Sequence, residues 1–272
     1  MAARKRSFTQ LMRNTQAVQA ARRATGMPRA KLSSLAPKPP LAAQARMKVA
    51  TNRLAELAER TLREELLAQL PAGGGLAAAD YGTVQRAIER IERRLHAAVA
   101  KLGPTVRAAA RAAAKHGHDE FERIMDTTVP SRGVAAGVAA TERAVEGDMR
   151  RMIGEFVSEL RGALAEVSGK DPKRPAAEVF AEKLWVPRVR GDALARSRPN
   201  QLFQTTFDMW AERAGDDQMV WVTRRDAKVR EKHRPLHGVV FSVKTGINGL
   251  FPGQEPNCRC TSIPKSLYDR SK

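Results

Sequence analysis

The chain of 272 residues holds five histidines and two cysteines, and His233, His237, Cys258 and Cys260 crowd into one short C-terminal stretch. Two imidazoles and two thiolates can complete a tetrahedral zinc site. The spacing is not that of a zinc finger, because a single residue, Arg259, separates the cysteines. Two other chemistries fit the same residues. The histidines could hydrogen-bond the backbone of the long loop between Val243 and Pro256, with the thiols buried as small apolar groups. Asp226 with His233 could instead form an acid/base pair, or Cys258 could act as a nucleophile activated by a histidine. No glycine-rich phosphate loop and no nucleophile elbow accompanies them.

The elements that must hold these side chains follow from the local pattern. Asp226 and His233 stand seven apart and would share one face of a helix. Pro235 ends such a helix near Arg234, and His237-Gly238 then turns into a strand. "QMVWVT", "GVVFSV" and "RCTSIP" are rich in β-branched and aromatic residues and predict three strands. On a strand, Cys258 and Cys260 point to the same side. A short helix over about 176–184 and a longer one from Gly191 to Gly215 precede them.

Upstream the texture is helical. Leu54, Leu57, Leu62, Leu66 and Leu70 recur at three- and four-residue spacing within 41–70. Asp80 is the expected N-cap of a helix from Tyr81 to about Leu102, striped by Val84, Ile88, Ile91, Leu95 and Val99. Gly103-Pro104 is expected to break it and open a further helix to about Thr127. Another helix is predicted over Val134–Val167. His96, His116 and His118 fall on these helices as surface or packing residues. "SGKDPKRP", residues 168–175, is the expected domain boundary. The fold class is α+β: a largely α-helical N-terminal and central part, with a small α+β unit at the C-terminus. The expected division is a basic arm at 1–40, a helical interaction domain at 41–168 and the α+β domain at 176–272.

The formal net charge is +19, which points to a polyanion and first of all to nucleic acid. The charge is uneven: no Asp or Glu precedes Glu56. Arg4, Lys5, Arg6, Arg13, Arg22, Arg23, Arg29 and Lys31 form an arm that cannot bury enough apolar surface to order alone. A phosphate backbone is its natural partner, and the expected one is double-stranded DNA, gripped without sequence preference. No run of about 18 apolar residues exists to span a membrane, and the N-terminus lacks the apolar core of a secretory signal. Two cysteines make no disulfide framework.

The order W-V-T-x-x-D-x-x-V-R-x-x-H-x-x-x-x-G, followed after a loop by P-N-C-R-C, resembles the phage Mu F-like minor head proteins, also called phage head morphogenesis proteins. The matching positions are Trp221, Thr223, Asp226, Val229, Arg230, His233, Gly238, Asn257, Cys258, Arg259 and Cys260. The resemblance covers roughly 185–265. Two departures stand out. Ser197 and Arg198 replace the Thr-Glu pair usual after Ala-Arg in the preceding helix, and the loop before the cysteines carries Glu255 where relatives often have a histidine. The resemblance implies a non-enzymatic minor capsid protein of a tailed bacteriophage, inside the virion head near the portal vertex and in the host cytoplasm during assembly. Its implied partners are the portal protein and the major capsid or scaffolding protein. It would assist procapsid assembly, DNA packaging or DNA delivery. Trp221, Asp226, Arg230, Gly238 and Arg259 would form the structural motif, with Arg230 and Arg259 paired to Asp226 or to loop carbonyls. The competing reading is a metal-dependent nuclease or toxin-like effector packaged with the DNA.

Overall fold

The computed structural model describes residues 35–70, 76–127, 134–168 and 174–270. Contacts divide them into two compact units that interleave along the chain. One takes in 41–113 with 135–199; the other takes in 200–270 with 114–127 and the segment 35–40. The division therefore does not follow the Ser168–Pro175 break.

The first unit is helical. Helix α1 is Leu41–Glu65, followed by a 3-10 turn at Leu67–Gln69. Helix α2 is Ala78–Met125, α3 is Val134–Val167 and α4 is Ala176–Ala181. Helix α5, Val186–Arg213, supplies its first half here. The predicted stripes become the core: Leu54, Leu62, Ile88, Ile91, Leu95, Val145, Met149, Phe156 and Leu160 are all buried together. Alanines at 50, 58 and 87 share that core, since a small side chain lets helices approach closely. At Gly191 a Cβ would stand 3.1 Å from Thr51 Cβ, which marks one such close approach. Charged partners line the rim. Glu65 accepts from Arg90 and Arg94 at 2.8 Å each, and Arg161 reaches Glu92 at 2.8 Å.

Two expectations fail within α2. Gly103-Pro104 does not break the helix, which runs unbroken over 48 residues. Val99, Leu102, Val106 and Ala109 keep one apolar stripe buried across the proline. That burial outweighs the roughly 3 kcal/mol cost of an interior proline. Asp80 is not an N-cap but lies inside the first turn, where its charge still complements the helix dipole.

The second unit is built on a three-stranded antiparallel sheet of order β2-β1-β3. Strand β1 is Gln218–Val222, β2 is Val240–Ser242 and β3 is Thr261–Pro264, as the three apolar runs predicted. Val220 faces Val240 on one side and Ile263 on the other. The side-chain period of two divides β1 between two cores. Met219 and Trp221 pack with Phe121, Phe207, Trp210 and Phe241. Val220 and Val222 pack with Ile263 and Tyr268, the latter on the final helix α6, Lys265–Arg270. The central strand is thus covered on both faces, which is why it reads as one continuous apolar run. The C-terminal end of α2 meets the second half of α5 through Phe121 against Phe207, ring centroids 5.6 Å apart. His116 and His118 are packing residues, set on Phe203 and Trp210 respectively. Glu120 accepts the Lys38 N–H at 2.8 Å and so holds the 35–40 segment.

Candidate metal centre

The segment between β1 and β2 positions His233. It is not the helix expected up to Arg234 but a series of turns, ended by a 3-10 turn at Arg234–Leu236 with Pro235 in its first positions. A proline is tolerated there because the missing N–H would have no partner in any case. Arg225 and Gly238 take positive φ, 58° and 83°, to bend the chain at either end. Trp221 donates its N–H to Val239 O at 2.9 Å and accepts the Gly238 N–H at 2.8 Å, closing the loop onto β1.

His233 is buried against Trp221, edge to face, with ring centroids 5.5 Å apart and an interplanar angle of 66°. Its Nδ1 lies 3.5 Å from Cys258 Sγ and 3.7 Å from Cys260 Sγ. Its Nε2 lies 3.0 Å from Glu255 Oε2, close enough for an ion pair although outside hydrogen-bond alignment. The three donor atoms of His233, Cys258 and Cys260 all fall within 4.8 Å of one another, and all three residues are buried.

The cysteines sit in the extended stretch just before β3, and the i,i+2 spacing turns both sulfurs to His233 while Arg259 points out to Asp226. Four polar residues clamp this stretch. Asn200 Nδ2 donates to Cys258 O at 3.0 Å, and Gln204 Oε1 accepts the Ser262 N–H at 3.3 Å. Ser262 Oγ and Gln204 Nε2 both donate to Asp208, at 2.6 and 2.7 Å. Asn200, Gln204 and Asp208 recur every four residues on α5, one polar line along an otherwise apolar helix face. That spacing was the available signal for a role the sequence reading did not assign them.

The electrostatics favour one thiolate in the pair. The hydrogen bond from Cys260 draws the Cys258 thiol down, against its burial and with help from His233. Cys260 is pushed up by that same pairing and by burial, with Trp221 and Arg259 working the other way. Burial pushes Glu255 up, but hydrogen bonds from Lys232 and Arg230 hold it below the ordinary carboxylate range. Asp226 is also held low, chiefly by Arg259.

Of the four ligands expected, the structure brings three together. His237 stands apart, its Nδ1 accepting the Thr223 N–H at 3.1 Å. His237 instead lines an open cleft of about 430 Å³ with Thr223, Arg225, Asp226, Ala227, Val229 and Arg234, which the cysteines do not reach. An Asp226–His233 acid/base pair does not form, because Asp226 is committed to Arg259 and the carboxylate beside His233 is Glu255. Arg230 meets Glu255 and donates to Pro256 O at 2.6 Å, a loop carbonyl as expected. Arg4, Lys5, Arg6, Arg13, Arg22, Arg23, Arg29 and Lys31 lie outside the described residues. Among the described residues, no helix is long and apolar enough to cross a membrane.

Comparison with known proteins agrees with the motif. Residues 157–263 match the family described as Phage Mu protein F like protein. An uncharacterized protein of Methanocaldococcus jannaschii is 32% identical over 104 residues, a stretch covering 38% of this chain and 15% of that protein. No solved structure matches. The matched segment contains β1, β2, the His233 turn and both cysteines, so this part of the chain is similar to the phage Mu F-like family.

Proposed function

We propose that this chain is a minor capsid protein of a tailed bacteriophage, carried inside the head near the portal vertex. There it assists procapsid assembly, DNA packaging or DNA delivery. The observation that carries this reading is the F-like match over 157–263, which includes the whole Trp221-to-Cys260 motif. The charge of +19 supports it, because an interior head protein works among DNA phosphates. On this reading the arm grips double-stranded DNA without sequence preference, and the helices between 41 and 168 dock on the portal protein or on the major capsid or scaffolding protein. The commitment of Asp226 to Arg259 favours a structural role for the C-terminal domain over an enzymatic one.

Mass spectrometry of purified DNA-filled particles and empty procapsids, quantified against the portal protein, tests this. Low-copy presence in both is expected. Absence from both, with the protein free in the infected cell, would overturn the reading. A metal-dependent nuclease or effector would then take its place, recognised by plasmid cleavage that His233→Ala abolishes.

A further inference from the structure

Two sulfurs converge on a single imidazole nitrogen, which can hydrogen-bond only one of them directly. A ring nitrogen offers one proton or one lone pair, enough for one partner. Yet Cys258 Sγ and Cys260 Sγ stand at 3.5 and 3.7 Å from the same His233 Nδ1. A tetrahedral zinc explains both distances. With Zn–S near 2.3 Å and Zn–N near 2.0–2.1 Å, a sulfur and a nitrogen on neighbouring vertices stand about 3.6 Å apart. The opposite side of the ring supports the same conclusion. Nε2 faces Glu255 Oε2 at 3.0 Å, the place a carboxylate takes when it orients a metal-bound histidine and fixes its tautomer. Lys232 and Arg230 anchor that carboxylate from outside. The cluster is buried, and Arg259, the nearest cation in sequence, is drawn away to Asp226.

We propose that His233 Nδ1, Cys258 Sγ and Cys260 Sγ bind one Zn²⁺ per chain, with Glu255 orienting His233. Among the described residues no fourth His, Cys, Asp or Glu joins the three, so water completes the tetrahedron. His237 is not a ligand. The metal ties the β1–β2 turn to the stretch leading into β3, crosslinking a sheet whose strands are only three to five residues long. Such a tie contributes its binding free energy to folding. The proposal stands whether or not the protein resides in a phage head.

The full-length protein, purified under reducing conditions without chelator, is analysed for metal by mass spectrometry. It is then stripped and refilled with Co²⁺ for absorption spectroscopy. One zinc per chain is expected, and the cobalt form should show a thiolate-to-metal charge-transfer band with the intense ligand-field bands of tetrahedral geometry. Glu255→Gln should keep the fold by circular dichroism while loosening zinc about 10–100-fold in competition with a chromophoric chelator. The double variant Cys258→Ser/Cys260→Ser should lose both metal and band. Wild-type protein free of zinc, with two thiols that react at once in native buffer, would overturn the proposal. Zinc retained by the double-serine variant would also overturn it, by placing the metal elsewhere. Unchanged affinity in Glu255→Gln would remove Glu255 from the site.

Discussion

Asp208 gives the unit around the sheet a defined pH dependence. Its carboxyl group is enclosed beneath β3, and burial lifts its pKa from 3.8 to about 6, while hydrogen bonds from Ser262 and Gln204 pull part of the way back. The residue as a whole keeps partial exposure, so the full effect is an upper limit. The fold's preference for the protonated acid is complete below the unfolded value of 3.8. It is lost as pH rises through about 6, because the unfolded chain ionises first and more readily. The difference is worth at most about 3 kcal/mol, and partial solvation reduces it to about 1–3 kcal/mol. Asp208→Asn keeps an oxygen where Ser262 Oγ and Gln204 Nε2 donate, and it removes the ionisation. Urea unfolding followed between about pH 3 and pH 7 should show the wild type losing that much relative to the variant. The two should coincide at the acid end, with the variant the more stable at neutral pH. Parallel curves, or a variant less stable than the wild type at neutral pH by as much as at acid pH, would refute the assignment of a buried, reluctant acid.

Two further perturbations address the core and the arm. Trp221 is fully buried between His233 and Phe241, so Trp221→Ala should cost about 3–5 kcal/mol in denaturant unfolding, whereas Trp221→Phe should cost less. Full-length protein should bind double-stranded DNA with a logarithmic salt slope of about −0.9 per phosphate contacted, and deletion of residues 1–40 should flatten that slope. An equally steep slope after deletion would place the DNA contacts elsewhere.

The elements were legible where one pattern dominated. Val145, Met149, Phe156 and Leu160 mark a helix whose bounds, Val134–Val167, are those the spacing predicts. The three strands were legible from their β-branched and aromatic residues. Misreadings came where a local rule met a tertiary one. Gly103-Pro104 carries a strong break signal, yet the stripe from Val99 to Ala109 continues through it, and burial along that stripe decides the outcome. The run from Asp226 to His233 reads as helical at seven-residue spacing. However, it must turn back sharply enough to bring His233 onto Trp221, and positive φ at Arg225 and Gly238 begins and ends that reversal.

The site was legible in composition but not in connectivity. Counting donors finds His233, His237, Cys258 and Cys260 together, and spacing cannot separate the two histidines. The separation comes from Pro235: the 3-10 turn that it opens leaves His233 on the sulfur side, and His237 closes onto the Thr223 N–H. Glu255 is also readable as the acid nearest the cysteines, but its role depends on which imidazole nitrogen it faces, and only the fold determines that. Glu255 Oε2 stands 3.0 Å from His233 Nε2 while both sulfurs stand near Nδ1, so the acid and the thiols take opposite edges of one ring.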